Sequence, residues 1–188
     1  MLIELQVIHA MQTAVTATPI TIATAIFAAR WLIYILVGFI LCLAINPQAK
    51  YRHTVAEAAW SALLALAITT LLAALIGRLR PFFLPPDLGF DIVRLIPIPF
   101  NSSFPSGHTS VAFALASALV WTNRRWGAAA LLVALIVGLG RVAVGVHYPS
   151  DILGGMVVGC ASFAMVRFLH GQLRKKDLTA SAKLHHHA

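Results

Sequence analysis

Three short stretches carry residue types that handle anions. Pro105-Ser106-Gly107-His108 stands directly before an apolar run, where proline and serine suit the first positions of a helix. The unpaired N–H groups and the dipole of such a helix start favour an anion, and Gly107 lets backbone approach it. His108 then falls in the first turn, beside whatever the helix end holds. A second stretch holds Arg141, His147 and Asp151 at fixed spacing, and a third is Arg80-Pro81. Guanidinium forks match phosphate oxygens bidentately, and two imidazoles with one carboxylate are the parts of covalent and acid–base catalysis. Each piece alone has an ordinary structural explanation: a helix-end histidine, an interfacial anchor, a first-turn carboxylate. Their order, spacing and shared membrane face favour chemistry.

Together the stretches resemble the type-2 phosphatidic acid phosphatase superfamily across roughly residues 54–171. The family pattern is Lys, six residues, Arg-Pro; then Pro-Ser-Gly-His; then Ser-Arg, five residues, His, three residues, Asp. Arg80-Pro81, the Pro105–His108 tetrad, and Arg141, His147 and Asp151 fit it. Ala73 stands where the family has lysine, and Gly140 where it has serine. The resemblance implies a lipid phosphatase that uses no metal and no cofactor. In it, His147 matches the nucleophile that forms a phosphohistidine, and Asp151 matches the carboxylate that orients it. His108 matches the general acid that later activates water. Arg80 and Arg141 are the expected phosphate clamps, with Ser106 and the N–H groups near Gly107 as neutral donors. Arg78 replaces the missing lysine only if the helix before it has ended, because side chains two apart on a helix point about 200° apart. The undecaprenyl-pyrophosphate phosphatases of this superfamily also vary at that lysine, which makes undecaprenyl pyrophosphate the expected substrate. Phosphatidylglycerol phosphate, phosphatidate and lipid A remain alternatives, as does a non-catalytic lipid-phosphate binding or transport protein.

The elements that position these residues must lie in a bilayer. Of 188 residues, 60% are hydrophobic and 11% charged, with mean hydropathy +0.85; soluble domains carry about 25% charge. The net charge of +8 therefore marks cytoplasmic loops and an anion site rather than a nucleic-acid surface. A soluble haloperoxidase with the same motifs is excluded by the hydropathy. Cys42 and Cys160 lie in apolar runs and offer no disulfide framework or metal set. The fold expected is an all-α, polytopic bundle of about five transmembrane helices. The spans read as 20–45, 54–77, 105–122, 126–146 and 150–170. A weakly amphipathic interfacial helix, with no basic segment ahead of it to make it a cleavable signal, precedes them over residues 2–15. Residues 1–176 read as one domain, 1–19 being its interfacial segment and 177–188 a tail that ends in a tag remnant.

Asn46-Pro47 ends the first span, and Pro81 the second. Lys50, Arg52 and His53 read as a short basic loop, and Glu57 as a first-turn carboxylate. Arg30, inside the first span, has a functional reading and a snorkelling one; no motif covers it, which favours the second. The proline-rich stretch 81–104 reads either as a lip dipping into the bilayer surface or as a cap over helix ends. Gly155 and Gly159 form a small-residue pair for close helix packing. Basic residues in the 46–53 segment, the 123–125 turn and the 174–176 tail place those ends in the cytoplasm. The chain is thus expected in the inner or plasma membrane, with the three motifs facing the periplasm or cell exterior.

Overall fold

The computed structural model describes residues 2–45, 47–84, 89–97 and 102–185. The fold is all-helical: α1 (Leu2–Thr16), α2 (Pro19–Arg30), α3 (Leu32–Leu43), α4 (Ala49–Ile76), α5 (Gly107–Thr122), α6 (Arg124–Ala143) and α7 (Pro149–His185). Helices α4, α6 and α7 are long and apolar enough to cross a membrane. α5 has 16 residues and sits at the centre, packed against α4, α6 and α7. Ala112, Ala114, Ala116 and Leu119 on it are fully or almost fully buried, and small side chains let three neighbours approach together.

The first expected span is not one helix. It breaks at Trp31 into α2 and α3, bent by 46°. α2 starts in a capping box between Thr18 and Thr21, with Pro19 in its first turn. At the break, α2 lies flat against α6: a Cβ on Gly140 would meet Ala29 N at 2.8 Å and the Ala28 carbonyl carbon at 3.1 Å. The serine expected there has no room, which explains the glycine.

Other boundaries differ from the sequence reading for local reasons. α4 begins at Ala49, so Lys50, Arg52 and His53 lie in its first two turns rather than in a loop. It ends before Pro81, at Gly77, whose φ of 62° closes it with a left-handed residue. Arg78 and Arg80 therefore follow outside the helix, Arg80 in extended backbone. Glu57 lies beyond the first turn and pairs across the bundle with Arg167 and His170. α7 receives α5 through its small residues: Cβ atoms on Gly155 and Gly159 would meet Ser106 O at 2.8 Å and Ser110 O at 2.3 Å.

α1 does more than lie on a surface. Leu5 and Ile8 are fully buried against Val142, Tyr148 and Ile152, while Leu2, Ile3 and Val7 on the other side are exposed. Gln12 holds the connection behind the site, donating from Nε2 to Val93 O at 2.6 Å and accepting at Oε1 from Val93 N at 3.1 Å. Leu95 N donates to Val144 O, and Ile96 is buried. Residues 89–97 thus form a packed cap. Pro85, Pro86, Asp87, Pro99, Phe100 and Asn46 fall outside the described residues, as does the final tag-like segment 186–188.

Candidate active site

The turn between α6 and α7 places His147. Gly145, at φ 76°, reverses the chain where a side chain would strike Val93 O at 2.4 Å, so only glycine fits. The imidazole that follows is buried. Its Nδ1 lies 2.8 Å from the carbonyl oxygen of Ser103 and 3.4 Å from Asp151 Oδ2. Both neighbours are acceptors, so Nδ1 carries the proton and donates, leaving the lone pair on Nε2. Burial, ahead of the opposing hydrogen bond with Asp151 and the charges of Arg141 and Arg80, pushes the His147 pKa down to about 4. The ring is neutral at physiological pH.

Arg80 approaches His147 from the extended segment after α4. Its Nη1 donates to Val146 O at 2.8 Å and lies 3.3 Å from His147 Nε2. The segment is held by pairing with the chain that leads into α5: Ser103 N donates to Arg78 O at 2.9 Å and Ser103 Oγ to Leu79 O at 3.3 Å. One residue, Ser103, thereby fixes both the segment that leads into Arg80 and the histidine's ring. No motif covers Ser103, and the role belongs to its carbonyl, which every residue type has; the sequence held no signal for it.

A cavity of about 670 Å³ opens on these groups. Arg80, Gly107, His108, Arg141 and His147 line it, together with Thr69, Ala73 and Ala74 of α4 and Tyr34 of α3. Two histidines, the two arginines expected as clamps and the start of α5 thus share one space. Arg141 is 4% exposed; its Nη1 donates to Ala29 O at 3.3 Å, and its Nε has no partner among the described residues. A buried guanidinium beside the cavity, with one N–H left unsatisfied, is a group whose charge an anion would balance. Arg30 also lines the cavity. It is exposed, with its guanidinium beside the Trp31 ring, so the residue that no motif covered stands at the site.

Three expected site residues lie behind the cavity wall instead. Asp151 is fully buried and accepts from His147, from Tyr148 N at 2.8 Å and from Arg78 Nη1 at 2.7 Å. Ser106 is fully buried; its Oγ accepts from Thr109 Oγ1 and its N donates to Asp151 O, tying the start of α5 to that of α7. Its hydroxyl is turned into the helix interface and not towards the cavity. Arg78 does not take the place of the missing lysine. The helix has ended before it, yet its guanidinium turns back to Asp151, Ser150 Oγ and Glu4 Oε2, over the Tyr148 ring. Burial would raise the Glu4 pKa, but hydrogen bonds from Ser150 and the charge of Arg78 outweigh it and hold Glu4 ionised.

The family profile of the PAP2 superfamily matches residues 54–175. The chain belongs to the PAP2 superfamily. It is thus in a family of membrane lipid phosphatases, and the apolar helices that carry the cavity accord with that. Among PAP2 relatives, undecaprenyl-diphosphatase BcrC of Bacillus subtilis is 30% identical over 76% of this chain and 72% of its own. Decaprenylphosphoryl-5-phosphoribose phosphatase of Mycobacterium tuberculosis is 32% identical over 89% and 91%. The fold matches the crystal structure of Aquifex aeolicus LpxE with a TM-score of 0.67 at 23% identity, over 86% of this chain and 93% of that one.

Proposed function

We propose that this protein hydrolyses a polyprenyl pyrophosphate, with undecaprenyl pyrophosphate the best substrate, to the lipid monophosphate and inorganic phosphate. The observation that carries the reading is the orientation of His147. Its Nδ1–H is committed to Ser103 O and Asp151, so the lone pair is on Nε2, where it accepts from Arg80 Nη1 at 3.3 Å until a phosphate takes that donor.

In the first step Nε2 attacks the terminal phosphorus, and a P–N bond forms as the bond to the bridging oxygen breaks. His108, which takes up a proton as the charge of the bound pyrophosphate comes beside it, gives that proton to the leaving oxygen. Arg80, Arg141 and the first-turn N–H groups at Gly107 hold the charge on the transferring oxygens. In the second step neutral His108 takes a proton from water, whose oxygen attacks phosphorus. The P–N bond breaks, releasing inorganic phosphate and restoring His147. Asp151 stabilises the positive charge that the ring carries in between. No metal takes part in either step.

A pyrophosphate brings more charge than a monoester, and Arg30 across the cavity supplies a further cation where Ala73 supplies none. Ala73 and Ala74 leave that wall open and apolar for the first isoprene units. The basic residues at the other ends of the helices face the cytoplasm, so the cavity opens on the periplasmic or outer face. Phosphate release by the purified protein in detergent and excess chelator tests the reading. Release from undecaprenyl pyrophosphate is expected. Cleavage of phosphatidate or phosphatidylglycerol phosphate alone would overturn the substrate, and binding without turnover would overturn the enzyme.

A further inference from the structure

At the end of the bundle opposite His147 lies a second cavity, of about 650 Å³. Lys50, His53, Glu57, Trp121, Arg167 and Arg174 line much of it. The single carboxylate, Glu57, is already engaged: its Oε1 accepts from Arg167 Nη1 at 2.7 Å and is 2.8 Å from His170 Nδ1. Arg167 is fixed from the other side by the Trp121 ring, with 4.7 Å between guanidinium and ring centre. Lys50 and Arg174 add two more positive charges, and the His53 and His170 rings stand 6.1 Å apart. The space is positive and partly enclosed.

It continues into an apolar groove of about 640 Å³ that shares His53, Glu57 and His170 with it. Trp60, Leu63 and Ala67 on α4 face Val166, Leu169 and Leu173 on α7 across that groove. A basic cavity joined to an apolar channel on the outside of a transmembrane bundle complements one molecule: an amphiphile with an anionic head and a long chain. We infer that this end of the protein is a binding site for an anionic phospholipid, the phosphate seated between Lys50, Arg167 and Arg174 and one chain lying between α4 and α7. The site is separate from the His147 cavity and independent of which lipid that cavity hydrolyses. On the orientation proposed above it samples the cytoplasmic leaflet.

Trp60 and Trp121 border the groove and the cavity, so tryptophan quenching by brominated lipid reads the site. The test uses the full chain with Trp31→Phe and Trp126→Phe, in phosphatidylcholine nanodiscs. A minor fraction of brominated phosphatidylglycerol, a diester with no terminal phosphate to hydrolyse, is compared with the same fraction of brominated phosphatidylcholine. Each basic residue beside an anionic lipid supports about a fivefold preference. Stronger quenching by phosphatidylglycerol is expected, with about twenty-fold weaker apparent binding in Lys50→Gln/Arg174→Gln. Both side chains are at the surface, and the charge-keeping pair Lys50→Arg/Arg174→Lys should restore the preference, while phosphatase activity stays at that of the Trp31→Phe/Trp126→Phe protein in each Lys50/Arg174 variant. Equal quenching by the two lipids, or a preference that survives the double variant, would overturn the inference. So would loss of the preference on adding millimolar inorganic phosphate, which would make this a soluble-phosphate site.

Discussion

The carbonyl oxygen of Ser103 lies 2.8 Å from His147 Nδ1, closer than the Asp151 carboxylate at 3.4 Å. The backbone acceptor sets the tautomer; the carboxylate, which also accepts from Tyr148 N and Arg78, supplies the charge. Replacing Asp151 by Asn keeps the Nδ1 proton in place through Ser103. Turnover is expected to fall by about 10²–10⁴ through lost stabilisation of the positive ring, with KM little changed. Steady-state kinetics on the purified variant check this split; a KM rise with kcat intact would contradict it.

Arg78 acts through Asp151 rather than on substrate. Arg78→Ala removes hydrogen bonds to two carboxylates and one hydroxyl. A charged hydrogen bond is worth roughly 1.5–3 kcal/mol, and partial exposure of Arg78 puts the expected loss at the low end. A lower unfolding temperature with an unchanged KM is the expected result. A tenfold KM increase at unchanged stability would make Arg78 a substrate clamp.

Arg30 is expected to bind the second phosphate. Arg30→Ala should raise KM for a pyrophosphate by about 10–100-fold, the equivalent of one charged hydrogen bond, and affect a monophosphate much less. Parallel assays on a polyprenyl pyrophosphate and its monophosphate measure the difference. Equal effects on both would remove Arg30 from recognition.

Gly140→Ser restores the hydroxyl of the family pattern but places a Cβ 2.8 Å from Ala29 N. Overpacking of this kind costs about 1–3 kcal/mol. Thermal unfolding in detergent should show destabilisation, with α2 displaced from α6. A variant as stable as the parent would show that α2 can shift freely.

His147 gives the protein a pH-dependent stability. Its pKa falls from 6.5 to about 4 on folding because the ring is buried. The unfolded chain therefore binds more protons between those values, and stability drops as pH falls through that window. The full loss is about 3 kcal/mol below pH 4 and absent above 6.5. Unfolding midpoints measured across this range should fall in the parent, and this part of the fall should be missing in His147→Gln. In activity, protonation of the nucleophile should appear as an acid limb near pH 4.

Much of this was legible in the chain. Hydropathy located the spans that became α4, α6 and α7, and the motif residues Arg80, His108, Arg141 and His147 do line one cavity. What was missed depends on tertiary contact. The break at Trp31 leaves no mark in an apolar run, yet it brings Arg30 and Tyr34 to the cavity. The direction of Arg78 is set by Glu4, 74 residues earlier, and by Asp151, 73 later. Ser106 fits a helix start by type, but close contact with α7 turns its hydroxyl inward. Ser103 orients His147 through its backbone carbonyl, to which no side-chain pattern points.

The account stands or falls on covalent chemistry at His147. The direct measurement is rapid acid-free quenching of the protein turning over substrate labelled in the terminal phosphate, followed by mapping of the labelled peptide. Label on His147, absent from His147→Gln and stable to base, is the predicted result. Label on His108, or full turnover in His147→Gln, would contradict it.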